Sequence, residues 1–480
     1  MRITNNMMMN NTMLGLNRNM QRLDKLYMQM TTLKRIQRPS DNPIIAGRAL
    51  KFRTRIAETQ QFQSNVEQAN SWMTSTEEAI KNIESILGKM RDSCVQGANG
   101  TLGIEAQKTL ADQMAELKKQ FINEGNVTYD GGRYLLSGFR TDAKLIFDKD
   151  NEKNFRVTES FTKDHIEKFE IPGDNIQLDK IQDMINNPDA LEDNSLPTTI
   201  YRIRLAYDDV SLDATILSDL ESELGVDITT MQSTNTGAYS PSSGDVYFLE
   251  DTGELIFNAE DVENLPDDFA FDMEYDKNGF KPGDLNPIHY FECKDLDTSD
   301  DGAGTPYTSY SPTDERIQYE VGINNKIEVN TLGKDLLPAD LMRDIDELVK
   351  RATDIFSAEK MINDQGKDLT EEQKKAITDL IRNSSTDISD SFDRLMGKID
   401  GYLSKVSTER SSLGSRMKRL ALVNNRLESD ELNFKELNNN NEGIDLEEVY
   451  TEFSMQQVIY NSALNATSKI IQPTLLDFIR

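Results

Sequence analysis

The chain has 480 residues and a formal net charge of −30, so it is long enough for roughly three or four domains and a sizeable core. This acidity disfavours nucleic acid and anionic membranes as partners. The two cysteines, Cys94 and Cys293, lie far apart, and a core thiol is predicted for each rather than a disulfide framework. The sequence lacks both an apolar run of the ~18 residues needed for a membrane helix and the apolar core of a secretory signal. Composition alone therefore predicts a cytosolic protein.

The negative charge is concentrated in the middle of the chain. Between Asp142 and Asp340 there are 15 basic and 45 acidic residues, and their difference equals the net charge of the whole chain. The two flanking arms are therefore balanced. The simplest interpretation of the acidic middle is a solvated, self-repelling surface.

The two ends of the chain carry apolar stripes at helical spacing. The first stripe consists of Met13, Leu16, Met20, Leu23, Tyr27 and Met30. The second consists of Leu446, Phe453, Tyr460, Leu464, Thr467 and Ile471. A helix with one apolar stripe needs a partner, and we predict that the two terminal helices pair with each other.

The first arm is predicted to be helix, turn, helix, turn, helix. The first turn is Arg38-Pro39-Ser40-Asp41-Asn42-Pro43, in which Ser40 or Asp41 is expected to cap the next helix. That second helix has a long apolar seam from Val66 to Cys94 and ends at the glycines from Gly97 onwards. A third helix precedes a glycine turn and a short strand over residues 129–138.

The middle of the chain changes to an alternating, strand-like pattern. Predicted strands include 201–207, 269–275 and 317–321, with a hairpin formed by Val246–Leu249 and Leu255–Phe257. Short helices are predicted at Asp174–Asn186 and Leu212–Leu224. The polar stretch Asp297–Ser311 is predicted to be a mobile loop.

The second arm returns to helix. Asp340 is a predicted N-cap, and Thr370 with Gln373 forms a capping box. A long seam starts at Ile388, and a break at Asn438–Gly443 precedes the last helix. The predicted fold is mainly α with an inserted β-rich middle: a long antiparallel helical bundle of N- and C-terminal arms and an α+β central domain. The expected segments are 1–40, 41–140, 141–340, 341–437 and 438–480.

The residue types that support catalysis or metal binding are scarce. The only histidines are His165 and His289, so a two-histidine zinc helix is excluded, and no phosphate-binding glycine loop or nucleophile elbow is present. The carboxylates of Asp297–Asp301 fit no calcium-loop template, and the methionines near the N-terminus fit a core or adaptable contact surface better than a metal site. No catalytic residue, metal ligand or cofactor is predicted.

Two short motifs stand out in the first arm: the turn Arg38-Pro39-Ser40-Asp41 with Pro43, and Gly132-Arg133-Tyr134-Leu135 with Ser137 and Gly138. They resemble motifs of the flagellin superfamily, and more closely those of its hook-associated branch at the hook–filament junction. Filament flagellins usually have a Ser-Ala-Asp-Asp-like turn in place of the first motif. In contrast to the family pattern, Leu33 replaces a usual glycine and Asn42 a usual aspartate. The glycine replacement predicts an uninterrupted first helix.

The resemblance implies a structural adapter that assembles through its terminal helices. Its implied partners are the hook-side junction protein, flagellin, further copies of itself in a ring, and an export chaperone on the C-terminal region, with no nucleic acid and no membrane. Export would follow the flagellar type III route to the extracellular flagellum. One alternative is a filament-forming flagellin, and another is an extracellular binding module on a flagellin-like core. About 35–40 residues at each end are predicted to be disordered in the monomer and to fold on assembly.

Overall fold

The structure is a computed structural model that describes residues 5–171, 198–235, 237–297, 307–312, 316–365 and 371–471. It consists of helical arms at both ends and a β-rich region between them, as the sequence predicts. The chain divides into two compact units. The first comprises the described parts of Met1–Gln68, Glu320–Lys326 and Arg419–Arg480, and the second those of Ala69–Tyr319 and Ile327–Lys418. The five sequence segments given above stay a prediction.

Long helices form the arms. The N-terminal arm contains α1 (Asn5–Thr32), α2 (Pro43–Gly97) and α3 (Ile104–Gly125), and the C-terminal arm contains α8 (Asp340–Gln365), α9 (Glu371–Glu442) and α10 (Leu446–Ile471). The predicted seam of α2 is buried throughout, and so is most of the seam of α9. In the second unit α2 and α9 are antiparallel, with ion pairs Arg91–Asp400 and Glu84–Arg410.

Shorter elements fill the middle of the chain. The helices are α4 (Ala214–Leu224), α5 (Ala259–Asn264), α6 (Pro287–Tyr290) and α7 (Gly333–Leu336). The strands are β1 (Thr128–Tyr129), β2 (Arg133–Tyr134), β3 (Asn151–Thr162), β4 (Glu167–Ile171), β5 (Thr198–Arg204), β6 (Val210–Ser211), β7 (Asp227–Met231), β8 (Asp245–Leu249), β9 (Glu254–Phe257), β10 (Ala270–Phe280), β11 (Glu292–Asp295), β12 (Thr308–Tyr310), β13 (Gln318–Gly322) and β14 (Asn325–Glu328).

Two five-stranded sheets share one core. Their strand orders are β12-β11-β3-β10-β6 and β4-β5-β9-β8-β7. All pairs are antiparallel except β7 with β8, which are parallel. The alternating residues of β3 and β10 point their aromatic and aliphatic side chains inward, against those of β5, β8 and β9. The predicted hairpin, the helix at 214–224 and the strand around 318–322 are confirmed.

Buried ion pairs join the second sheet to α8 within the second unit. Arg202 on β5 contacts Glu254 and Glu347, and Arg204 contacts Asp344 and Glu347. Burial alone would raise the pKa of Glu167 on β4, but the charges of Lys398, Arg202 and Arg204 lower it to about 2. Arg202 and Arg204 alternate along β5 with apolar core residues. The alternating pattern predicted the strand, but it did not show which acidic residues would pair with the arginines.

Three predictions about helix ends are wrong. The first helix is not uninterrupted, because α1 ends at Thr32 and Leu33 has a left-handed backbone with φ of 55°. Such a conformation suits glycine far better than leucine, which fits the glycine usual in the family. The cap of α2 is Asn42, whose Oδ1 accepts from the Ile44 and Ile45 amides. The predicted break at 438–443 falls later, because α9 continues to Glu442.

Other predicted features are described only in part. The helix predicted at Asp174–Asn186 and the capping residue Thr370 lie outside the described residues. The end of the stretch predicted as a loop, Thr308–Tyr310, is the edge strand β12. Residues 298–306 of that stretch lie outside the described residues.

Candidate assembly surface

The two terminal helices pair with each other in the first unit, and the pair is antiparallel. At one end the Arg35 amide donates to the Glu442 carbonyl over 2.7 Å, and the backbones of Lys34 and Gly443 form an isolated antiparallel β-bridge. Farther along, Gln456 of α10 lies against Asn19 of α1. The terminal pairing predicted from the sequence stripes is therefore present in a single chain.

One row of side chains on each helix faces the partner. On α1 the half-buried positions recur every three or four residues: Thr12, Leu16, Asn19, Leu23, Leu26 and Met30. On α10 the corresponding row is Val449, Phe453, Gln456, Tyr460, Ala463 and Thr467. In both rows the spacing alternates between four and three residues, as it does in a coiled-coil seam.

The predicted seam residues divide between this row and the surface. Leu16, Leu23, Met30, Phe453 and Tyr460 lie in the row. Exposed are Met13 (51%), Met20 (59%), Tyr27 (54%), Leu446 (52%) and Leu464 (45%). The side chain of Ile471 lies outside the described residues. The sequence stripe was too wide for one seam, since a two-helix contact covers only a narrow strip of each helix.

The uncovered part of the pair is rich in apolar side chains. On α1 and the residue after it, the exposed large apolar residues are Met7, Met8, Met9, Met13, Leu14, Met20, Tyr27, Met28 and Leu33. On α10 they are Leu446, Tyr450, Met455, Val458, Ile459 and Leu464. Contiguous apolar surface of this kind is typical of a protein–protein interaction site. Methionine in particular adapts its shape to the surface that covers it.

A buried carboxylate holds the point where α1 ends and α10 begins. Glu442 is 6% exposed and contacts both Arg53 on α2 and Lys34 after α1. Asn438 on α9 donates over 3.0 Å to Glu442 Oε1, the oxygen that faces Lys34, whereas Arg53 contacts Oε2. No sequence pattern predicted this role, because a single glutamate at the end of a helix is not distinctive.

The turn Arg38-Pro39-Ser40-Asp41 with Pro43 is stabilised by two hydrogen bonds to one side chain. The Asp41 carboxylate accepts from the amides of Arg38 and Gln37 at 2.9 and 3.0 Å, and these bonds lower the pKa of Asp41. Pro43 is the first residue of α2, where its missing amide hydrogen is not needed. Arg38, Pro39 and Ser40 are exposed. They are available for contacts outside the chain.

The glycine–strand motif is a tight structure in the second unit. Gly131 and Gly132 adopt φ values of 76° and 82° between β1 and β2, which glycine does without strain. Leu135, Ser137 and Gly138 are buried, whereas Arg133 and Tyr134 are more open. The Gly333 amide donates to the Leu136 carbonyl over 2.7 Å. This part of the motif is held by packing and backbone bonds.

The described residues give no geometric support for a metal centre. They contain no group of three or more His, Cys, Asp or Glu side chains that could hold a metal ion. His165 accepts from the Thr162 amide at a strand end, and burial lowers the pKa of His289 to about 4. Burial raises the pKa of each cysteine, Cys94 and Cys293, to about 12, as expected for core thiols. Nor does any described helix have the length and apolarity of a membrane span.

Both arms match known sequence families. Residues 3–141 match the bacterial flagellin N-terminal helical region, and residues 396–479 match the bacterial flagellin C-terminal helical region. The first match includes α1, the family turn and the glycine–strand motif. The second includes most of α9 and all of α10.

Individual relatives are more distant. The chain is 29% identical over 143 residues to flagellar hook-associated protein 3 of Salmonella typhimurium, which is 30% of this chain and 45% of that relative. It is 23% identical over 270 residues to flagellar hook-associated protein 3 of Escherichia coli, covering 56% of this chain and 84% of the relative. A flagellin of Clostridium tyrobutyricum is 26% identical over 158 residues, 33% of this chain and 41% of that protein. The chain thus aligns with less than half of the Salmonella relative.

Two solved structures align with most of this chain at low sequence identity. A putative flagellar hook-associated protein from Vibrio parahaemolyticus has a TM-score of 0.40 at 10% identity, with 84% of this chain and 100% of that one covered. Flagellar hook-associated protein 3 from Legionella pneumophila has a TM-score of 0.32 at 13% identity, with 80% and 98% covered.

Proposed function

We propose, from the premise that this chain belongs to the flagellin superfamily, that it is a structural adapter of the bacterial flagellum. It would join the hook-side junction protein to the flagellin filament. The observation that carries the proposal is the terminal helix pair, which leaves most of its apolar side chains uncovered in a single chain. The names of the relatives from Salmonella and Escherichia favour the hook-associated branch over filament flagellin.

The energetic argument rests on the exposed apolar residues. Fully covering one methionine or leucine side chain is worth about 1.5–3 kcal/mol. Three such residues at intervals of seven, Met13, Met20 and Tyr27, lie on one side of α1 and are each more than half exposed. Covering this row with neighbouring subunits would offset the cost of ordering the terminal helices.

The partners follow from the same surface. We propose that other copies of this chain, the hook-side junction protein and flagellin cover the α1–α10 pair in the assembled flagellum. An export chaperone is proposed for the C-terminal region, whose apolar face needs cover before assembly. Flagellar proteins of this superfamily are extracellular, and for this chain we propose export by the flagellar type III route. We propose no catalytic role.

A deletion strain tests the adapter function. Loss of the chain is expected to release flagellin monomers into the medium while the hook and the hook-side junction protein remain. Complementation with the native chain should restore the filament. A variant with Met13, Met20 and Tyr27 all changed to serine should be exported but fail to restore it. The matched control changes Asn17, Gln21 and Asp24, exposed polar residues of the same helix, to serine.

Two outcomes would contradict the proposal. If the deletion left complete hooks carrying every junction protein but no flagellin in the medium, the chain would be the filament subunit itself. That is the alternative consistent with the likeness to the Clostridium flagellin. If the triple-serine variant restored the filament as well as the polar control did, the exposed row would not be the assembly surface.

A further inference from the structure

The seam between α1 and α10 contains four polar side chains that could form hydrogen bonds, in an otherwise mainly apolar row. They are Thr12 and Asn19 on α1, and Gln456 and Thr467 on α10. A polar group in a seam weakens helix pairing unless it is hydrogen-bonded. The hydrogen-bond partner of each polar side chain therefore determines its effect on how the two helices pair.

The two threonines satisfy their hydroxyl groups within their own helices. Thr12 donates to the carbonyls of Met8 and Met9, one turn back along α1. Thr467 donates in the same way to the carbonyl of Ala463 on α10. These bonds persist wherever the partner helix lies, so neither threonine distinguishes one alignment of the two helices from another.

Asn19 and Gln456 differ because their bond crosses the seam. The Gln456 side chain is 9% exposed, and its amide nitrogen lies 3.4 Å from both the backbone and side-chain oxygens of Asn19. Sliding one helix by seven residues in one direction would keep the rest of the seam in a similar pattern but place Asn19 opposite Ala463 and Gln456 opposite the apolar Leu26. The amide of the buried Gln456 would then lose its partner, at a cost typical of an unsatisfied polar group.

We infer that the Asn19–Gln456 pair determines the register of the terminal helices. The polar pair lowers the stability of the helix pair but favours a single alignment of the two helices, as one buried polar residue does in a coiled coil. The register sets which apolar residues of α1 stand beside which residues of α10 on the exposed surface. The inference concerns the pair itself and holds whether or not the chain is a flagellar adapter.

Disulfide trapping in the full-length chain tests the register. One turn on from the polar pair, Leu16 comes opposite Tyr460, so a Leu16→Cys, Tyr460→Cys chain reports the observed register. A Leu23→Cys, Tyr460→Cys chain reports the slip of seven residues that places Gln456 opposite Leu26. The native Cys94 and Cys293 are buried and stay in place. Intrachain crosslinks are counted by mass spectrometry, and dimers are removed first.

The expected result is a strong excess of the first crosslink in the native background. In an Asn19→Leu, Gln456→Leu background this excess should fall by about five- to thirtyfold, the factor that one or two kcal/mol gives. Exchanging the two residues (Asn19→Gln, Gln456→Asn) should restore it. Thr467→Val, which removes a hydroxyl already bonded within α10, should leave the ratio unchanged.

Two results would overturn the inference. One is an unchanged ratio in the double-leucine background, which would mean that shape or the α1–α2 turn sets the register. The other is an equal fall with Thr467→Val, which would mean that any polar residue suffices. This test is independent of the proposed function, because the phenotype of the deletion strain has no bearing on the crosslink ratio.

Discussion

The terminal helix pair and the β-rich region treat apolar residues in opposite ways. In the β-rich region the large apolar side chains of β3, β5, β8, β9 and β10 are almost fully buried in one core. In the α1–α10 pair the covered row is half-buried on α1 and only partly buried on α10, and more large apolar residues face outward than inward. The β-rich region buries its apolar side chains within one chain. The α1–α10 pair needs contacts with other molecules to bury its own.

Charge follows the reverse pattern. The middle of the chain has the whole net negative charge, and its outward-facing strand positions, such as Asp272 and Glu274 on β10, are acidic or paired with basic groups. A surface of this kind resists non-specific association. The difference between the two regions supports the proposal that the middle folds by itself and the ends take part in association.

The largest expected contrast between the regions is in hydrogen exchange. In dilute monomer the central amides of β3 and β10 should exchange only through global opening, which for ordinary domains costs about 5–15 kcal/mol. Amides of Leu16–Leu26 and Phe453–Ala463 should exchange with little protection, since a lone pair of helices with half-buried seams is marginal. Comparable protection of the two sets would show that the terminal pair is stable by itself.

Truncating one large side chain in each region gives the next contrast. Phe248 on β8 is 0% exposed, so Phe248→Ala should lower the free energy of unfolding by about 3–5 kcal/mol. Met20 is 59% exposed, so Met20→Ala should change it by less than about 0.5 kcal/mol. Urea denaturation of the monomer measures both. A large loss with Met20→Ala would mean that the exposed face is covered in the monomer.

A buried carboxylate makes the stability of the β-rich core depend on pH. Glu159 on β3 accepts from the Tyr275 hydroxyl and the Ala206 amide, yet burial raises its pKa to about 7. Because the folded pKa lies above the ordinary value of 4.5, the protonated form favours folding. This contribution is complete below pH 4.5 and is lost as the pH rises through 7.

Replacing Glu159 isolates that contribution. Glu159→Gln should remove the loss of stability between pH 4.5 and 7, which amounts to about 3 kcal/mol. The measurement is urea denaturation at a series of pH values. Glu263→Gln, at an exposed position in α5, is the matched control and should keep the native pH profile. A native profile in Glu159→Gln would assign the pH dependence to other groups.

The smallest expected effect is at the turn that follows α1. Leu33 has a left-handed backbone and a side chain that is 57% exposed. Leu33→Gly should therefore relieve roughly 1 kcal/mol of backbone strain while losing little packing. Thermal dissociation of the assembled protein should show a small rise in midpoint. Leu33→Ala keeps the strain and should show none, so an equal rise in both variants would exclude this explanation.

Periodicity predicted the elements well and their ends poorly. The seam of α2 and the alternation in β10 were readable because every buried position repeats at a fixed interval. The sign of φ at Leu33 was not readable, because it depends on the backbone contacts of residues 34 and 35 with Gly443 and Glu442. A leucine in place of glycine suggested a continuous helix, and tertiary contacts overrode that local preference.

The candidate surface was predicted only in part, for a related reason. A stripe on one helix shows which residues are apolar but not which of two adjacent rows will meet the partner. Leu26, Val449 and Gln456 belong to the covered row and were absent from the predicted seam. The ion pairs of Arg202 and Arg204 depend on strand order, which no local pattern contains.

The exposed methionines also have a chemical consequence. Thioethers are readily oxidised, and the sulfoxide is polar and chiral where the native side chain is apolar. Met7, Met8, Met9, Met13, Met20, Met28 and Met455 are open to oxidants, whereas Met73, Met90, Met114 and Met273 are fully buried. A peroxide-treated subunit would therefore keep an intact fold and lose the apolar character of its ends. Methionine oxidation would therefore accumulate on the surface that we propose to contact neighbouring subunits.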